Sequence, residues 1–178
     1  MTRVASQLTF CSPDQILRQS VVEIDDNQII SEIYSLGTLR VESAQTLFYD
    51  GIISMELVSI KEQISTTAIP TLMANYRYID LSSTLLTENI FPSNKPLILD
   101  FGTTVPFEIN RLLALNYPRL KSFTIFDIIA ATVYYPAKLM GIQCLLKKGL
   151  HSKLILWKSI DLVNKKQTEI TSIVEIEA

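Results

Sequence analysis

Polar and apolar positions alternate over the first ten residues, and residues 3–34 contain the patterns of strands. Val21-Val22-Glu23-Ile24 and Ile29-Ile30-Ser31-Glu32-Ile33 flank Asp25-Asp26-Asn27-Gln28. Asp and Asn tolerate the positive φ of a tight turn, so the run predicts a hairpin. A further strand is predicted over Leu47 to Ile53, with Gly51 marking a bulge. Pro96 to Gly102 is a short apolar run ending in glycine, which suits a buried strand.

Helical spacing follows. Thr103 or Thr104 is placed to cap a helix that begins near Pro106, shows Phe107, Ile109, Leu112, Leu113 and Leu115 on its apolar side, and ends before Pro118. Thr124 with Asp127 three residues on resembles a capping box, and Ile125, Ile128, Ile129, Thr132 and Val133 form the buried face. A second short helix is expected from Pro136 to a stop at Gly141. Beyond Gly149 the pattern turns extended again. Leu154 to Asp161 reads as a strand covered on both faces, and Glu169 to Glu177 as a terminal, largely one-sided strand.

Composition narrows the class. With 178 residues and 48% hydrophobic content the chain can bury one good core, yet it is too short for a (β/α)₈ barrel of about 250 residues. A net charge of -2, from 16 basic and 18 acidic residues, argues against a nucleic-acid partner. Cys11 and Cys144 stand far apart and read as reduced core thiols. The opening residues lack the continuous apolar region of a signal peptide, and the most hydrophobic window, 123–142, is broken by Asp127, Pro136 and Lys138. A cytoplasmic protein with no membrane partner is the expectation.

Several segments together resemble the amidohydrolase superfamily, the metal-dependent hydrolases and deaminases. Gln19 to Ile33 is similar to the opening hairpin of that family, and Pro136-Ala137-Lys138-Leu139-Met140-Gly141 to its Asn-Pro-Ala-Lys-x-Leu-Gly segment, with Tyr135 in place of Asn. Gly149 to Leu154 resembles its Gly-Lys-x-Ala-Asp-Leu loop, with Leu150 and Lys153 departing from the pattern. The likeness covers Gln19 to Lys61 and Tyr76 to Glu177 with gaps, and leaves no room for about 200 residues of central barrel.

The resemblance implies an α+β fold: a small β-sandwich from residues 1–58 and 150–178, with two to four helices packed on it from a barrel remnant over 59–149, all in one domain and without a complete TIM barrel. It also implies where metal ligands would stand. The family's His-x-His pair falls on Lys61 and Gln63, a charged ammonium and an amide, after Leu57 and Val58, which fit the apolar approach, and Met55 and Glu56, which do not. The last ligand, an Asp in a Gly-Thr-Asp-like turn, corresponds to Gly102, with Asp100 two positions early. Asp100 is therefore the one weak candidate for a catalytic base, against the plainer reading of a turn-forming carboxylate. No metal or other cofactor is expected.

His151 is the only histidine and cannot make a standard zinc site alone. No Gly-x-Ser-x-Gly elbow or phosphate-cradling glycine loop exists, since the five glycines are scattered. Tyr76, Tyr78, Tyr134 and Tyr135 are candidates for lining a binding pocket, or for core. The leading expectation is a non-catalytic amidohydrolase relative, a pseudoenzyme that acts as a homodimer or on a protein partner, because helix faces stripped of a barrel tend to become interfaces. One alternative is a metal-dependent hydrolase of non-peptide C–N bonds, of deaminase type, with a site rebuilt from Asp100, His151 and Glu62 or Asp80, or completed by a partner. Another is a small-molecule binding module using the tyrosines.

Overall fold

The computed structural model describes residues 1–36, 46–63, 74–82, 86, 90–143, 145–159 and 170–176. The two ends of the chain build one mixed sheet. Its strands are β1 (Thr2–Ser12), β2 (Gln15–Ile24), β3 (Ile30–Ser35), β4 (Thr46–Met55), β7 (Leu154–Ser159) and β8 (Ile170–Ile176), in the order β3-β2-β1-β4-β7-β8. All neighbours are antiparallel except β1 and β4. The expected α+β class holds, with no closed barrel among the described residues.

The local chemistry of the predicted hairpin is plain. Asp25 Oδ1 accepts from the backbone N–H of Asn27 and of Ile29 at 2.9 and 2.8 Å, and Gln28 takes a φ of 61°. That leaves the flanking apolar residues Val21, Val22, Ile24 and Ile30 facing the core, where all four are buried. β7 is covered on both faces as expected, Leu154, Ile155, Leu156 and Trp157 being buried. Its tight approach to β4 explains Gly51: a Cβ there would lie 2.4 Å from the Trp157 carbonyl oxygen, at a φ of +147°.

A second, two-stranded parallel sheet, β5 (Arg77–Asp80) and β6 (Leu97–Asp100), pairs Asp80 with Asp100 at its carboxyl end. The helices are α1 (Ile60–Gln63), α2 (Pro106–Leu120), α3 (Ile125–Ile129) and α4 (Tyr135–Met140). Helix α2 differs from the sequence reading in three details. Of its expected apolar side Ile109, Leu112 and Leu113 are buried, but Phe107 and Leu115 are exposed. α2 is capped by Val105 without a side-chain bond, Thr103 Oγ1 instead accepting from Val105 N at 3.1 Å. The helix also runs through Pro118. Its last turn is held there by the buried Leu120 and by Ile90 N–H donating to the Arg119 carbonyl at 3.0 Å.

The capping box at Thr124 and Asp127 forms as expected, and Gly141 ends α4 in the left-handed conformation at φ 68°. The two short helices are nevertheless one continuous path, joined by a π turn over Ala130–Tyr134. The reason lies in Pro136, whose nitrogen has no hydrogen to give the Thr132 carbonyl. Tyr135 N–H reaches back five residues to the Ala130 carbonyl, and the freed Thr132 carbonyl accepts from Val58 N–H at 3.2 Å. The π turn packs against β6. It thereby fixes the segment that leaves β4, and with it Ser59 and Lys61.

No helix among the described residues is long and apolar enough to cross a membrane.

Candidate functional site

Residues from three segments converge at the carboxyl end of the β5–β6 pair. Asp100 is the centre and is buried. Its Oδ1 accepts from Ser59 Oγ and from Gly102 N–H, both at 2.9 Å, and its Oδ2 from Lys61 N–H and from Tyr78 Oη, both at 3.0 Å. A carboxylate offers about four acceptor positions, so this set fills them. Asp100 therefore acts as a clasp between the loop after β4 and the ends of β5 and β6.

Beside it, the Lys61 ammonium pairs with Asp80 Oδ2 and donates to Ser82 Oγ at 2.9 Å. Asp80 Oδ1 in turn accepts from Ser82 N–H and Oγ–H at 2.9 and 2.6 Å. Burial alone would raise the Asp80 carboxyl, but the bonds from Lys61 and Ser82 and the lysine charge outweigh it and hold it below the usual carboxylate range. The Tyr78 hydroxyl is pushed up, first by burial and then by the charge of Asp100, so it stays a neutral donor. Gly102, at φ +66°, brings its backbone so close to Ser82 that a Cβ would sit 2.6 Å from the serine Cβ.

The structure thus brings together Lys61, Tyr78, Asp80 and Asp100 from the residues singled out by sequence. Glu62 N–H lies 3.4 Å from Ser59 Oγ at the edge of the same cluster, and Gln63 closes α1. His151 stands elsewhere, exposed, in an isolated bridge to Ile29. Among the described residues no three His, Cys, Asp or Glu side chains gather as a cation site would require.

The four tyrosines also come together. Tyr76, Tyr78 and Tyr135 pack with Leu139 around the buried Ile60 and Ile98. The Tyr135 ring lies 6.2 Å from Tyr76 and 5.3 Å from Tyr134 in an edge-on contact, while the Lys138 ammonium sits 5.7 Å above Tyr134.

Ser59, Ser82 and the role of Gly102 escaped the sequence reading. A signal was available: Tyr78-Ile79-Asp80-Leu81-Ser82 and Ile98-Leu99-Asp100-Phe101-Gly102 share one pattern, two apolar or aromatic residues, Asp, an apolar residue and a small one. In both, the Asp side chain accepts from the backbone N–H two residues on, an Asx turn closing a strand.

No protein-family model matches the chain, and no curated protein matches it. Among solved structures, aminofutalosine deaminase of Helicobacter pylori, crystallised with methylthio-coformycin, aligns at 18% identity and a TM-score of 0.27. The alignment covers 46% of this chain and 20% of that one, so this chain matches only a small part of the enzyme.

Proposed function

We propose that this chain is a non-catalytic relative of the amidohydrolases that works by association, with a second copy of itself as the partner. In this reading residues 1–58 and 150–178 are the retained sandwich part of a single domain, and 59–149 the remnant of a barrel. The observation that carries it is the closed network at the strand ends. Lys61, which the sequence resemblance sets at the first histidine position, supplies a fixed internal cation to Asp80, while Asp100 spends its acceptor positions on Ser59, Lys61, Tyr78 and Gly102. An ammonium ion so held does not ligate a metal, and a carboxylate so saturated has no acceptor position turned to a substrate.

The surface supports contact as the mode of action. Phe107 is 73% exposed and Leu115 53%, two turns apart on α2, with Val105 also 53% exposed at its start. Contiguous exposed apolar patches mark interfaces, and the association proposed here uses these exposed side chains of α2. Light scattering at micromolar concentration should return twice the 20.1 kDa mass of the chain. Phe107→Glu with Leu115→Glu should return a folded monomer. A wild-type monomer overturns the association. Stoichiometric zinc, iron or manganese together with turnover of an adenosine-type or guanine-type amine would replace it with the hydrolase reading.

A further inference from the structure

The amino-terminal end of the β5–β6 pair, away from Asp80 and Asp100, carries a half-open cleft of about 190 Å³. Its apolar walls include Phe91, Phe123, Phe126 and Tyr135, and Arg77 and Lys95 line it as cations. Neither cation is paired with a carboxylate among the described residues. Arg77 gives one hydrogen bond, from Nη1 to the Phe91 carbonyl at 2.8 Å, and Lys95 one, from Nζ to the Ala74 carbonyl at 3.0 Å. A guanidinium carries five N–H donors and an ammonium three, so among the described residues most of these donors have no protein acceptor.

The acid in the lining is already engaged. Asp127 Oδ2 accepts from Thr124 N–H at 2.7 Å and from Thr124 Oγ1 at 2.8 Å in the capping box. Among the described lining residues, Arg77 and Lys95 against Asp127 leave one positive charge, and Asp14, beside Pro13, is near enough to act on Tyr135, so the cleft suits a singly charged anion better than a doubly charged one such as a phosphate monoester. The volume falls below the roughly 300 Å³ at which pockets for drug-sized ligands begin, which limits the occupant to one or two fused rings. Tyr135 stays a neutral phenol, its hydroxyl pushed up by burial first and by nearby Tyr134 and acidic groups second.

We propose that this cleft binds a small planar aromatic carboxylate, its ring among Phe123, Phe126 and Tyr135 and its carboxylate on the Arg77 fork and the Lys95 ammonium. The proposal uses residues at the opposite end of the strand pair from the Asp100 network, so it does not rest on the functional reading above.

The test is ligand-observed NMR and calorimetry with 2-naphthoate and its neutral counterpart 2-naphthalenemethanol, on the wild-type chain, Lys95→Gln, and the Arg77→Gln/Lys95→Gln pair. The acid should bind at submillimolar concentration and the alcohol at least about tenfold more weakly, a difference of about 1.4 kcal/mol. Lys95→Gln should weaken the acid alone, and the double variant should bring acid and alcohol level, with circular dichroism unchanged. Because Lys95 is exposed, that single variant keeps the comparison free of folding effects. Equal binding of acid and alcohol to the wild type, or no loss in either variant, overturns the proposal. So does binding of a proline-rich peptide where the acid fails, which would make the cleft a peptide groove.

Discussion

The backbone carbonyl of Thr132 and the N–H of Val58 are bonded at 3.2 Å, and the bond exists because Pro136 cannot make the helical one that would compete with it. One proline thus opens a π turn in a buried helix and spends the released acceptor on the loop leading to Ser59 and Lys61. Pro136→Ala returns a donor to the Thr132 carbonyl. The helix is then expected to close with ordinary spacing, and the Val58 amide to lose at least about tenfold in hydrogen-exchange protection, with smaller changes in β1 and β2. Unchanged protection at Val58 would place the cause of the π turn elsewhere.

Asp100→Asn tests the clasp. An amide in the same volume offers one acceptor oxygen and an NH₂ group that faces donors it cannot satisfy. Two of the four groups now bonded to the carboxylate therefore lose their partner in a buried place. A loss on the order of 2–4 kcal/mol in urea unfolding is expected, since each orphaned buried donor costs about 1–3 kcal/mol. Asp80→Asn, at a site a quarter exposed, should cost clearly less.

Gly102→Ala should be destabilising by roughly 1–3 kcal/mol, because φ +66° is a left-handed conformation and the new methyl would meet Ser82 Cβ at 2.6 Å. Removing the obstacle with Ser82→Gly should recover the steric part and leave the conformational part. Denaturation of the two single variants and the double forms the cycle, and full additivity would exclude the contact as a cause.

The network also sets limits in pH. Asp80 is held below its unfolded value of about 3.9, so its contribution is present above that value and fades as pH falls through the lower folded one. Lys61→Gln removes the partner that lowers it, so acid unfolding should begin at higher pH in that variant. Tyr78 behaves in the opposite sense. Its hydroxyl is raised above the unfolded value of about 10, so its stabilisation is complete below that pH and declines as pH climbs toward the folded value. Tyr78→Phe should lower stability at neutral pH by about 1 kcal/mol or more through the lost bond to Asp100, and flatten the alkaline decline. Unfolding midpoints between acid and strongly alkaline pH check both signs.

Most of the strands were legible because their signals are local, whereas β5 was not predicted. Asp25 closes its own turn, Gly51 marks a close approach between backbones, and Thr124 with Asp127 caps a helix within four residues. What could not be read are consequences of distance. That Pro136 would open a π turn and serve Val58, rather than start a separate helix, depends on a loop 78 positions earlier in the chain. Asp100 looked like either a base or a turn former. The choice needed Ser59, Lys61 and Tyr78, which approach it only once β5 and β6 lie side by side. The cleft was hidden for the same reason, since Arg77 and Lys95 lie on separate segments from Phe123 and Tyr135.

Trp157 gives the last test, one that reads the sheet itself. Its ring is fully buried, and its Nε1–H donates to Ser54 Oγ at 2.8 Å, while that hydroxyl donates to the Met55 carbonyl at 2.8 Å. The indole has a donor and no other polar group, so its burial depends on this one serine across the β4–β7 pairing. Ser54→Ala removes the acceptor in a site too packed for ready water entry, and a loss of about 1–3 kcal/mol is expected. Ser54→Cys keeps a weaker acceptor of nearly the same shape and should fall between the two. Tryptophan fluorescence during urea unfolding measures both, and because the chain has a single Trp, the signal reports this site alone. An alanine variant as stable as the wild type would mean that the indole N–H finds another partner, which would require β7 to shift against β4 at the very place where Gly51 lets them touch.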